Sequence, residues 1–205
     1  MLLVAVASVS CRTAGVDQAA QIIQPGAPGE SSRVIAADKA IDLSKVQFTP
    51  ADVAFMQGMI GHHAQAVEMV ALMATRNSSR DMRMLGQRID ASQTDEIKMM
   101  QRWLEVHGQA LPDPHAHMHG AMLMPGMLTE EEMGRLAEAR GAPFDRLFLE
   151  FMIKHHDGAL IMVRGLFATP GAGQDSDIFA FASDVEADQR IEISRMGAML
   201  MEFQK

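Results

Sequence analysis

Two short segments of this chain carry the same metal-binding side chains at the same spacing. Met59-Ile60-Gly61-His62-His63-Ala64-Gln65-Ala66-Val67-Glu68-Met69 returns as Met152-Ile153-Lys154-His155-His156-Asp157-Gly158-Ala159-Leu160-Ile161-Met162. Thioethers and neutral imidazoles are the donors that a soft, nitrogen-tolerant cation such as Cu(I) prefers. Residues four apart on a helix lie on one face, so Met59 with His63, and Met152 with His156, each form a sulfur–nitrogen pair. His62 and His155 sit about 100° further round the helix and serve either another site or a helix interface. A single Met-x-x-His-His is better read as core methionine beside a hydrogen-bonded histidine. Duplication shifts the balance, because each buried imidazole without a partner costs roughly 1–3 kcal/mol and ligation removes that cost. The repeat predicts either one shared metal centre or two equivalent ones.

A second concentration of donors lies between the cassettes. His115-Ala116-His117-Met118-His119-Gly120-Ala121-Met122-Leu123-Met124-Pro125-Gly126-Met127 is a Gly- and Pro-containing tract whose alternation of His and Met suits capture of Cu(I) or Ag(I) better than it suits an apolar flap. Its candidate ligands are His115, His117, Met118, His119, Met122, Met124 and Met127. Matched positions elsewhere add Met69 with Met162 and Met100 with Met196, as ligands or as the layer that supports them. Glu96 and Glu192 are matched too. They act as acceptors fixing the imidazole tautomers, as direct ligands to a harder metal, or as a solvated polar face. A di-iron bundle needs Glu-x-x-His on two helices; here Met99 and Arg195 stand where those histidines would be.

The elements that position these residues follow from local signals. Thr49-Pro50-Ala51-Asp52 opens a helix with a capping hydroxyl, a first-turn proline and an acid, and Phe48 with Val53 forms a hydrophobic staple. That helix runs to about Thr75, breaks in Arg76-Asn77-Ser78, and is followed by a second from about Ser79 to His107, with Gly108 supplying a left-handed stop. Leu111 to Met127 is loop. Thr129-Glu130-Glu131-Glu132 caps a short helix that Gly141 ends, a third long helix runs from Pro143 to about Ala168, and a fourth from about Ser176 to Phe203. Asp52, Phe55, Met59, Ile60, Ala66 and Met69 match Asp145, Phe148, Met152, Ile153, Ala159 and Met162; Gln93, Glu96, Ile97 and Met100 match Gln189, Glu192, Ile193 and Met196. Two matched hairpins, each with an apolar stripe it cannot bury alone, predict an all-α four-helix bundle over 47–205: hairpin 49–107, crossover 108–142, hairpin 143–203.

Composition narrows the function. The 205 residues suit one compact domain. Net charge is −8 with only 18 Lys and Arg and no basic block, which argues against nucleic acid as a partner. Nineteen Met beside one Trp and no Tyr is more sulfur than packing requires. The one cysteine, Cys11, leaves neither a disulfide framework nor a Cys-based zinc site for the folded domain. Residues 1–11 read as the apolar part of an export signal, too short to span a bilayer, and Ser10-Cys11 resembles a bacterial lipoprotein cleavage site in which Cys11 carries lipid. Residues 12–46, with Pro25, Gly26, Pro28, Gly29, Ser31 and Ser32, read as a flexible tether. Export fits the donor choice, because in an oxidising compartment a thioether cannot form disulfides.

The paired Met-Ile-x-His-His-x-x-Ala blocks, with Phe144-Asp145-Arg146-Leu147-Phe148-Leu149 leading into the second, resemble the secreted domain-of-unknown-function family 305 over roughly Thr49 to Phe203. The resemblance implies a ferritin-like bundle, and some members are periplasmic copper-binding proteins that use Met and His. It places the family positions at Met59, His62, His63, Met152, His155 and His156, with Leu149 where the first repeat has Met56. Three functions compete. The first is an exported, non-catalytic protein, periplasmic or at the cell surface, that binds Cu(I) for sequestration, tolerance or transfer to other copper-handling envelope proteins. The second is a ferritin-like metalloenzyme using His and Glu with Fe, Mn or Zn. The third is a metal-free envelope module whose Met stripe binds a partner. No nucleophile constellation is present to define catalytic residues.

Overall fold

The computed structural model describes residues 22–24, 33–35, 47–76, 79–112 and 123–203, in two units, 1–45 and 46–205. Cys11 lies outside the described residues, as do His115, His117, Met118, His119 and Met122. Within the first unit, where the sequence offers only a tether, β1 (Ile22–Gln24) pairs antiparallel with β2 (Arg33–Ile35) in the register Ile22 to Ile35, Ile23 to Val34 and Gln24 to Arg33. Isoleucine and valine favour the extended backbone, and the Pro- and Gly-bearing segment between them joins the strands.

The second unit is a four-helix bundle. Helix α1 (Pro50–Ala71) is followed by the single turn α2 (Met73–Arg76) and by α3 (Arg80–Val106). The short α4 (Glu130–Glu138) precedes α5 (Gly141–Ala168) and α6 (Ser176–Glu202). Thr49 caps α1 reciprocally: its hydroxyl accepts from the Asp52 amide, and its own amide donates to Asp52 at 2.7 Å. The other Asp52 oxygen accepts from the Gly173 amide at 2.7 Å, so the first turn of one hairpin is tied to the bend of the other. Gly108 has φ 64°, the left-handed stop expected after α3. Two boundaries differ from the sequence reading. The first helix breaks at Leu72 instead of running on to Thr75, and Gly141, expected to end α4, is the first residue of α5, since α4 already stops at Glu138.

The hairpins α1–α3 and α5–α6 pack through a central α1–α5 contact. Two apolar clusters fill the bundle. One gathers Phe55, Met56, Met59, Met100, Trp103 and Phe181; the other gathers Met69, Ile89, Phe144, Phe148, Met152 and Met196. Between them lies a polar layer with few precedents in an ordinary core: His62, His63, His155, His156, Gln93 and Gln189 are all essentially inaccessible to solvent.

Candidate metal centre

Each cassette histidine is positioned by helix periodicity and then oriented by one hydrogen bond. His63 on α1 and His156 on α5 occupy the same register of their repeats. The Nε2–H of His63 donates to Glu96 of α3 at 2.5 Å, and the Nε2–H of His156 donates to Glu192 of α6 at 2.5 Å. A carboxylate accepts, so each contact places an imidazole proton on Nε2, and in the neutral ring Nδ1 is then the nitrogen open to a metal. Glu96 and Glu192 are therefore the acceptors that set these tautomers, and Ser92 adds a 3.3 Å hydrogen bond to the second oxygen of Glu96.

His62 and His155 meet across the central helix pair, with ring centroids 3.9 Å apart. The Nε2–H of His62 donates to the Pro125 carbonyl at 3.0 Å, and His155 is hydrogen-bonded to the main chain of His62. His63 stands 6.3 Å from His62, and His156 stands 6.3 Å from His155, centroid to centroid. Burial, the neighbouring His63 and then His156 push the His62 imidazole down to about 3, against the opposing pull of the Pro125 carbonyl. Burial and the other three histidines likewise hold His155 well below the ordinary imidazole range. Both are therefore neutral at physiological pH, the form in which imidazole binds metals.

Four ring nitrogens of this layer are left stranded. His62 Nδ1, His63 Nδ1, His155 Nε2 and His156 Nδ1 are all buried without a hydrogen-bond partner. Native interiors rarely tolerate even one such atom, and here four from matched positions lie in one layer. Among the described residues no three His, Asp or Glu side chains converge closely enough to hold an ion by themselves.

The methionines divide between the two sides of the histidine layer. Met59 and Met100 lie in the first apolar cluster with Met162 packed against it, and Met152, Met196 and Met69 lie in the second. Each side thus combines the leading Met of one cassette with the trailing Met of the other. The described end of the crossover closes over the centre. Met124 approaches α1 at Gly58, where a β-carbon would meet its sulfur at 3.3 Å and the Met162 methyl at 3.5 Å. Met127 is buried beside Leu128. The Gln65 side chain holds the Leu128 main chain at both ends, donating to its carbonyl at 2.9 Å and accepting from its amide at 2.8 Å. Gly126 and Gly158 let Pro125 reach α5, because a β-carbon on Gly158 would lie 1.9 Å from the Pro125 carbonyl oxygen. This end of the crossover is therefore a packed cover that also supplies the acceptor for His62, a role not visible in its composition.

Residues 52–200 match the family model described as a domain of unknown function, DUF305. The chain belongs to the DUF305 family. Solved DUF305 structures share the fold: one from Streptomyces coelicolor, described as secreted, is 29% identical with a TM-score of 0.65, covering 74% of this chain and 93% of its own. A DUF305 fragment from Deinococcus radiodurans is 33% identical with a TM-score of 0.64, covering 76% and 98%. The protein CopM in its Cu(II)-bound form is 25% identical with a TM-score of 0.62, covering 74% and 97%, and its Cu(I)-bound form is also similar, at 25% identity and a TM-score of 0.59. No curated protein matches.

Proposed function

We propose that this DUF305 protein is an exported, non-catalytic carrier of Cu(I), able also to take Ag(I), which sequesters the ion or hands it to other copper-handling proteins of the envelope. One observation carries the reading: four buried imidazole nitrogens, from two matched cassettes, have no hydrogen-bond partner. The donor set suits a soft monovalent cation, because neutral imidazole and thioether are its preferred ligands and leave only one positive charge in the core, with the carboxylates of Glu96 and Glu192 held against His63 and His156. Met59 and Met152 supply sulfur from either side, Met100, Met162, Met69 and Met196 line the same clusters, and Glu96 and Glu192 orient the outer histidines. The bound forms of CopM support copper as the cargo, and the secreted relative supports export. Lipid attachment at Cys11 would hold the protein at a membrane, and among the described residues no helix is long and apolar enough to cross one.

Competition for Cu(I) against a chelator of known affinity tests this reading. Replacement of Met59 and Met152 by Leu and of His62, His63, His155 and His156 by Ala is expected to abolish tight binding. Equal affinity in the parent and this variant would remove the proposal.

A ferritin-like centre for Fe, Mn or Zn is the competing reading, favoured by the His63–Glu96 and His156–Glu192 pairs and by the carboxylates beside them. Burial and then the nearby Glu96, Glu192 and Asp184 raise the Asp188 carboxyl. Metal analysis of protein purified without added copper separates the two, since stoichiometric iron or manganese with little copper would favour the harder-metal site.

A further inference from the structure

Away from the histidine layer, α3 and α6 leave a cavity of about 340 Å³ between them, open to solvent and lined by side chains that the cassettes do not include. Met99, Trp103 and His107 follow one another at four-residue intervals along α3 and face it together, Met56 of α1 forms its floor, and Asp177 and Asp184 of α6 lie on its far side. Met56 is buried and Met99 is exposed, so thioether sulfur lines the cavity from the core to the surface.

The Nδ1 of His107 is engaged with the Trp103 carbonyl at 2.7 Å, which places its proton on Nδ1 and leaves the Nε2 lone pair free. The ring is held in that pose by stacking on Trp103, centroids 4.3 Å apart, and by the edge of Phe48 at 4.8 Å. Trp103 is 7% exposed, and its indole N–H is buried without a partner.

We propose that this cavity is a second soft-cation site, in which Met56, Met99 and His107 Nε2 ligate Cu(I) or Ag(I). Asp177 with Asp184 outweighs the single positive charge of Arg102 at the rim. Comparison of the repeats separates this from generic packing. At the equivalent positions of the second hairpin stand Leu149 for Met56, Arg195 for Met99, Met199 for Trp103 and Phe203 for His107. The cassettes are preserved in both halves, whereas these donors occur together in only one. The site stands on its own donor set and does not rest on the cassette reading.

Trp103 is the one tryptophan in the chain, so its emission reports on this cavity. The test is an Ag(I) titration of the full chain carrying Cys11→Ser to remove the thiol, with Trp103 emission and bound silver measured together. The parent is expected to show quenching, and Met99→Leu with His107→Gln is expected to lose the quench and one bound equivalent. Met56→Leu, which conserves size, gives the same loss with helical circular dichroism unchanged. A protein lacking the six cassette donors keeps the quench as long as its helical signal is intact. Absence of quenching in the parent overturns the proposal, as does a full quench and silver count in the Met99/His107 variant, or a quench that vanishes with the cassettes while the helices persist.

Discussion

At the scale of single residues, the centre is governed by which nitrogen of each imidazole holds the proton. Glu96 and Glu192 fix Nε2–H on His63 and His156. Exchanging either glutamate for glutamine allows the amide to donate instead, which reverses the tautomer and takes Nδ1 out of play. Glu96→Gln and Glu192→Gln should each weaken Cu(I) binding about 10–100-fold, in line with the loss of such supporting contacts at other metal sites, and chelator competition checks this. Acid acts on the inner histidines. Because the His62 value falls to about 3 in the folded protein, the unfolded chain takes up a proton first. Stability present above pH 6.5 is therefore lost progressively as the pH drops from there towards 3. His62 alone accounts for a loss on the order of 2–3 kcal/mol at pH 4.5, with His155 adding in the same direction. Urea unfolding of metal-free protein at pH 7 and pH 4.5 measures it, and equal midpoints would contradict the burial of neutral imidazole. Cu(I) affinity should also decline only in part below pH 6, since thioethers bind no proton.

At the scale of elements, the legible features were those written into consecutive residues. The Thr49 cap, the Gly108 stop and the burial of both cassettes follow from local chemistry and helix periodicity. Contacts between distant segments were not legible. His62 meets Pro125 and Gln65 meets Leu128 across 63 residues each, and neither Pro125 nor Gln65 carries a mark of that role. Gly158 permits the close approach, yet a glycine inside a helix does not announce one: Gly134, Gly165 and Gly197 also sit in helices and meet nothing. Gly141 misled for the opposite reason: its φ of 61° suits a helix stop, yet the turn it makes leads directly into α5. Nor is the Trp103–His107 cavity legible, since residues four apart on a helix carry no mark that distinguishes a cavity wall from ordinary packing. Gly158→Ala should displace Pro125 and Gly126 from α5, strip His62 of its acceptor and destabilise the protein by about 1–3 kcal/mol. Thermal denaturation with limited proteolysis across 123–128 tests it, and an unchanged melting temperature with no new cleavage would show that the cover is not held this way.

On the scale of the whole molecule, duplication supplies both the architecture and the chemistry. Two hairpins that cannot bury their stripes alone associate through α1 and α5, and that association brings His62 against His155. Under the proposed function, metal binding and folding are linked. A cation that binds only the folded bundle stabilises it by RT ln(1 + [L]/Kd), about 2.7 kcal/mol at a hundredfold excess over Kd. Cu(I) and Ag(I) should therefore raise the melting temperature, whereas Mn and Zn should have little effect. A melting temperature indifferent to every metal would favour a metal-free module.

The most direct test of the central claim is anomalous diffraction at the copper edge from crystals loaded with Cu(I) under reducing conditions. Copper bonded to imidazole nitrogen of the His62, His63, His155 and His156 layer, with sulfur from Met59 or Met152 completing the sphere, is the expected result. Copper confined to the carboxylates of Glu96 and Glu192, or absent from the layer while the four nitrogens remain unpartnered, would contradict it.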